Sequence, residues 1–320
     1  MQPLQDSPCT ILRCPELWFS DNTIVIEAGN MQFQVHTDVL TRQSEVFRDL
    51  LSLPQPADSE TVDGSPLVRI EGTTAENMRL FLACLHDCTE YGSAVRDYTK
   101  VATLLRMSQK YQATEFHRHI LADLSPMFPT SFDEYKHAET EARRRGALFD
   151  YTLLDCCVVL ANAFRDIHAT AFLPVALYRL CRHNVTDVLN STLLPANMRA
   201  VVIGRSSLAA CAREKVFVTI SADVYPSLYY RPGSLSLRDS CRDRSRCPET
   251  LRNAFAAILD YDCWLDPLAT RDPGVSFRNF CDSCRSLLVK EYESGRATTW
   301  ESLPQFFELS AWSKLLEEGL

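Results

Sequence analysis

The residues with the most pointed chemistry are four cysteines in the back half of the chain. Cys241 and Cys247 are separated by five residues, and Cys281 and Cys284 by two. Two close pairs, far apart in sequence, can supply the four thiolates that zinc takes in a tetrahedron. The stretch before the first pair, residues 234–247, is polar and poorly patterned, the kind of segment that gains order from a metal. A plainer reading stands beside this one. Cys281 and Cys284 share a helical stripe with Phe277, Phe280, Leu287 and Leu288, and a buried cysteine packs as a small hydrophobe. The C-x5-C spacing is also not that of a common zinc knuckle. A structural zinc on Cys241, Cys247, Cys281 and Cys284 is therefore one expectation, and core cysteine is the other.

Other reactive types are present without a placed partner. His36 follows a β-rich run, and His117 and His119 lie two apart on a helix and so point apart. There is no G-x-S-x-G, P-loop, G-x-G-x-x-G or H-E-x-x-H. The expectation is that the protein is not an enzyme. It carries 13 Cys, and MQPLQDSPCTILRC has neither a basic start nor an apolar run. An intracellular protein, cytoplasmic or nuclear, with reduced thiols is expected.

Charge and hydropathy narrow the partners. The net charge is −8, and residues 1–130 hold 10 Lys and Arg against 17 Asp and Glu. The back half is balanced, so no basic face is available for nucleic acid. The greasiest run, 153–164, contains Asp155 and Asn162 and is too short to span a bilayer. At 320 residues, the chain has room for about two domains.

The positioning elements start near residue 23. Thr23-Ile24-Val25-Ile26 and Phe33-Gln34-Val35-His36 flank Ala28-Gly29-Asn30, which predicts a hairpin. Val39, Leu40, Val46, Phe47, Leu50 and Leu51 then recur at helical spacing, with Ser44 as an N-cap between two short helices. Residues 1–17 read as an irregular lead-in and 53–66 as a loop. A third strand is expected at 67–71. Helices are expected at about 74–87, 98–111 and 114–124, with a polar link at 88–93.

The order strand, strand, F-x-x-H-x-x-x-L-x-x-x-S-x-x-F-x-x-h-h, where h is apolar, resembles the BTB/POZ domain. Here it is carried by Phe33, His36, Leu40, Ser44, Phe47, Leu50 and Leu51. Leu53-Pro54-Gln55-Pro56 and Asp63-Gly64-Ser65-Pro66 resemble fungal members. The resemblance implies a protein–protein interaction module. Its corepressor-type pocket would need an acid–base pair, but Asn22, Thr37 and Gln43 stand there, with Asp21 and Arg42 nearby. It implies that Leu40, Val46, Phe47 and Leu50 supply an apolar interaction surface for a homodimer. It places cullin contacts near 86–94 and 111–119.

Beyond residue 128 the pattern is helical. Helices are expected at 132–145, 151–164, 172–181, 194–212, 248–260 and 275–293. Residues 216–220 read as β-prone, and 225–246 as an irregular excursion. The aromatic tail, with Trp300, Phe306, Phe307 and Trp312, should pack back on the body. The fold class is α+β: a BTB/POZ domain at 18–128, then a mostly α-helical domain at 129–320. A scaffold or adaptor for protein partners is the function expected, with a cullin-linked substrate adaptor second and a transcriptional regulator third. No nucleic-acid or membrane partner is expected.

Overall fold

The computed structural model describes residues 11–53, 60–145, 150–216, 241–260, 266–268 and 277–318. They form two compact units, the first reaching Ser125 and the second starting at Pro126, with Asp150 on the side of the first.

The first unit is a five-stranded sheet covered by helices. Strands β2 (Thr23–Ala28) and β3 (Met31–His36) form the predicted hairpin, pairing Ile24 with Val35 and Ile26 with Phe33. The turn needs a left-handed backbone, and Gly29 supplies it at φ +59°. Ile24, Val25, Ile26, Phe33 and Val35 are at most 2% exposed, so the centre of the sheet is dry on both faces.

Two strands flank this hairpin in parallel. The expected third strand is β5 (Ser65–Ile70), on the β2 side, with a two-residue β4 (Thr61–Val62) beyond it. The other edge corrects the sequence reading. Residues expected in an irregular lead-in form β1 (Leu12–Trp18), which pairs with β3. Its ladder is interrupted between Arg13 and Trp18, and Cys14 and Leu17, three apart, are its buried positions. That spacing breaks the period of two by which a strand is recognised.

Helices α1 (Thr37–Gln43) and α2 (Glu45–Ser52) divide at Ser44, whose hydroxyl accepts from the Phe47 amide at 3.2 Å. Helix α3 (Ala75–His86) is capped by Thr74 and buries Met78, Phe81, Leu82 and Leu85. The expected polar link is instead a short helix, α4 (Cys88–Ala94), started by Asp87 on the Thr89 amide at 2.7 Å. Only Ala94 of α4 is buried, so hydropathy gave no sign of it. Helices α5 (Tyr98–Lys110) and α6 (Thr114–Leu124) finish the unit.

The second unit is helical wherever regular structure is described. It comprises α7 (Phe132–Arg145), α8 (Leu154–Asp166), α9 (Leu173–Cys181), α10 (Val185–Leu189), α11 (Pro195–Cys211), α12 (Cys247–Asp260), α13 (Asp282–Phe306) and α14 (Trp312–Glu318). Every residue of α9 is buried, which makes it the axis of the unit. Its Arg179 is 8% exposed. The guanidinium donates to the Met127 carbonyl and lies over Phe128 at 4.7 Å and Tyr151 at 4.4 Å. The two ring faces offset part of the cost of burying this cation, whose Nη1 has no hydrogen-bond partner among the described residues.

The helix expected at 275–293 is shifted: a single 3-10 turn covers Phe277–Asn279, and α13 runs from 282 to 306. Gly295 lets α13 approach the backbone of Lys215 and Val216. The aromatic tail folds back as expected: Trp312 stacks on Trp300 at 5.0 Å, and its Nε1 donates to the Trp300 carbonyl at 2.7 Å. Of the stretch read as β-prone, 217–220 lies outside the described residues, as do 225–240 of the irregular excursion and 54–59 of the loop. Among the described residues, no helix is long and apolar enough to cross a membrane.

Candidate functional site

Among the described residues, two places carry chemistry or contact potential, one in each unit. In the second unit the four cysteines come together. Cys247 opens α12, Cys281 is the N-cap of α13, and Cys284 lies in the first turn of α13. Residues three apart on a helix share a face, so the C-x2-C spacing aims both sulfurs one way. Cys241 is brought round by a tight turn. The Asp243 carboxylate accepts from the Arg246 amide at 3.0 Å and from Ser245 Oγ at 2.8 Å. These bonds hold the Asp243 carboxyl below its usual range.

All four sulfurs lie within 4.8 Å of one another. Cys247 and Cys284 are buried, and Cys241 and Cys281 partly so. Leu251, Phe277, Phe280, Leu288 and Tyr292 pack beside them. Backbone amides point into the cluster. The Cys281 amide donates to Cys247 Sγ at 3.3 Å. The amides of Cys284 and Arg242 donate to the Cys281 sulfur and help pull its thiol down to about 6. Burial pushes the thiols of Cys247 and Cys284 up. Four soft donors at this separation, with amides aimed at them, suit a closed metal site.

In the first unit the junction of α1 and α2 is a locked corner. Ser44, 1% exposed, caps α2 and also donates its hydroxyl to the Tyr111 carbonyl. The Tyr111 ring stacks on Phe47 at 5.2 Å and on Phe81 at 5.4 Å, and its hydroxyl meets Thr73 at 2.9 Å. His36 belongs to a second stack, with Phe19 at 4.6 Å and His86 at 6.1 Å. Its Nδ1 meets the Asp21 carbonyl at 3.0 Å, which ties the end of β3 to the segment before β2. Ser108 and His117 pair at 2.8 Å, but Ser108 is fully buried and its hydroxyl donates to the Leu105 carbonyl at 3.0 Å.

Residues 12–119 match the family model of the BTB/POZ domain. Residues 12–119 are a BTB/POZ domain. No curated protein and no solved structure matches the chain.

The family match begins at residue 12, in β1. The surface expected at Leu40, Val46, Phe47 and Leu50 divides. Leu40 and Phe47 are at most 1% exposed and fill the domain's own core, so they are not available to a partner. Val46 and Leu50 are half-buried, and Leu53, just past α2, is 63% exposed. Spaced four and three apart, these three make a stripe on the outer side of α2. Where the BTB pocket would need its acid–base pair, the backbone acts instead: the Asn22 carbonyl accepts from the Thr37 amide at 3.0 Å. The segments 86–94 and 111–119 form one surface, because Tyr91 of α4 meets Phe116 at 5.4 Å and His119 at 5.2 Å. Tyr91 also donates to Asp123 at 2.6 Å. Sequence reading named the segments that hold Tyr91 and Tyr111 but not the ring contacts that either makes. Tyr91 lies in the short α4 and Tyr111 caps the end of α5, where periodicity carries little signal.

Proposed function

We propose that this protein is a non-enzymatic scaffold or adaptor that holds protein partners through its BTB domain. BTB domains are protein–protein interaction modules, and the match over residues 12–119 is the observation that carries the reading. The contact we assign is the α2 stripe of Val46, Leu50 and Leu53, an apolar row next to a rigid corner. Its occupant is a second copy of the chain or another protein's apolar face. The acidic front of the chain favours a contact that is neutral or basic. Light scattering on the purified chain, alone and with V46D/L50D, tests this. Association that the double substitution abolishes supports it, and a monomer that captures no stoichiometric partner refutes it.

A second reading is favoured by the joined surface of α4 and α6. Cullin-binding adaptors of the BTB family use these two regions, and here Tyr91, Phe116 and His119 make them continuous. In this reading the helical unit carries a substrate. Pull-down with a cullin amino-terminal domain separates the two: binding lost on Tyr91→Ala supports the adaptor, and binding lost on V46D/L50D supports the stripe.

A further inference from the structure

We propose that Cys241, Cys247, Cys281 and Cys284 hold one zinc ion as a closed, structural tetrathiolate centre in the helical unit. The inference is independent of what the BTB domain binds. Zinc with sulfur ligands at about 2.3 Å in a tetrahedron sets the sulfurs about 3.8 Å apart. The four sulfurs already lie within 4.8 Å of one another, so closing on the ion takes shifts of about 1 Å or less. All four converge on one point. Two disulfides would need only two close pairs, at about 2.05 Å each.

The hydrophobic reading of these cysteines explains half of the set. Cys247 and Cys284 are buried beside Leu251, Phe280 and Leu288, as small apolar side chains would be. Cys241 and Cys281 are only partly buried, yet they turn inward to the same point. Packing against the apolar cluster accounts for part of that inward turn, and a shared ligand accounts for the meeting of all four sulfurs. Both halves of the centre are also built in advance. Asp243 fixes the turn that carries Cys241 and Cys247, and the start of α13 fixes Cys281 and Cys284.

The surroundings fit the charge. One zinc with four thiolates is doubly negative. The segments 241–247 and 278–285 hold five Arg and two Asp. The Cys281 amide, donating to Cys247 Sγ at 3.3 Å, is the kind of outer partner that orients a metal-bound thiolate. With four protein ligands and apolar neighbours the site has no open position, so its role is to staple α12 to α13.

Elemental analysis of the purified full chain, after exhaustive dialysis, tests this. One zinc per chain is expected, falling to background in C241S/C281S. Those two positions are chosen because they leave the buried pair in place. A mercurial titration of the wild-type chain, with a chromogenic zinc indicator, keeps the test sound if the variant folds poorly. It should release one zinc as four thiols are blocked. Absence of metal, iron in place of zinc, disulfides among the four, or zinc that persists in C241S/C281S would overturn the proposal.

Discussion

Ser44→Ala is the perturbation that reads the BTB corner most sharply. Ser44 does two jobs with one oxygen. It accepts from the Phe47 amide at 3.2 Å, and it donates to the Tyr111 carbonyl. Losing the cap costs about 1 kcal/mol. The Tyr111 carbonyl, left in a site where Ser44 is 1% exposed, then lacks this donor, which costs about 1–3 kcal/mol more. The sum, about 2–4 kcal/mol, is a large part of the roughly 5–15 kcal/mol that keeps a domain folded. Native-state hydrogen exchange by mass spectrometry is the assay, because it reports the first unit separately from the second. Peptides covering α1 and α2 should exchange about 30- to 700-fold faster, at 1.4 kcal/mol per tenfold. Ser52→Ala is the control. Ser52 is exposed and donates only to the Asp49 carbonyl at 2.8 Å, so its effect should stay within about 0.5 kcal/mol. If Ser44→Ala matches that control, the corner is not held as described.

Three more outcomes are expected. Gly295→Ala should destabilise the helical unit by about 1–3 kcal/mol or more, because a Cβ there meets the backbone of Lys215 and Val216, which cannot rotate away. Thermal unfolding of the variant and wild type measures this. Tyr178→Phe should cost about 1–3 kcal/mol in urea unfolding, since the hydroxyl donates to Asp266 and accepts from the Leu268 amide at 3.2 Å. Burial lowers the pKa of His86, His117 and His183 below the ordinary 6.5. The unfolded chain therefore takes up protons first as pH falls. Their stabilising contribution is present above pH 6.5 and is lost as pH falls from there through their lower folded values. Melting temperature measured from pH 7.5 to 5 should fall, and His117→Gln should flatten part of that slope.

How much of this was legible in the sequence depended on whether a residue's role shows in its spacing. The corner motif was readable because each member occupies a fixed step: Phe33 in β3, Ser44 as a cap, Phe47 in α2. The four cysteines were readable as a set, but spacing alone favoured core packing over zinc. The convergence of two partly exposed sulfurs, on which the zinc proposal rests, appears only in the fold. β1 was missed because its buried positions, Cys14 and Leu17, are three apart across a break in the ladder. α4 was missed because it buries only Ala94 and is started by a polar cap. Leu40 and Phe47 were assigned to a partner because an apolar helix face looks the same from sequence whether it meets its own sheet or another protein. Burial at 0% and 1% decides for the domain's own core.

The claim that the BTB domain is the working surface of this protein is tested most directly by quantitative affinity capture. The tagged full chain would be captured beside V46D/L50D, Tyr91→Ala and C241S/C281S. A stoichiometric partner or second copy is predicted that is lost with V46D/L50D or with Tyr91→Ala and retained with C241S/C281S. Capture of nothing stoichiometric, or capture that neither BTB variant disturbs, would contradict the account.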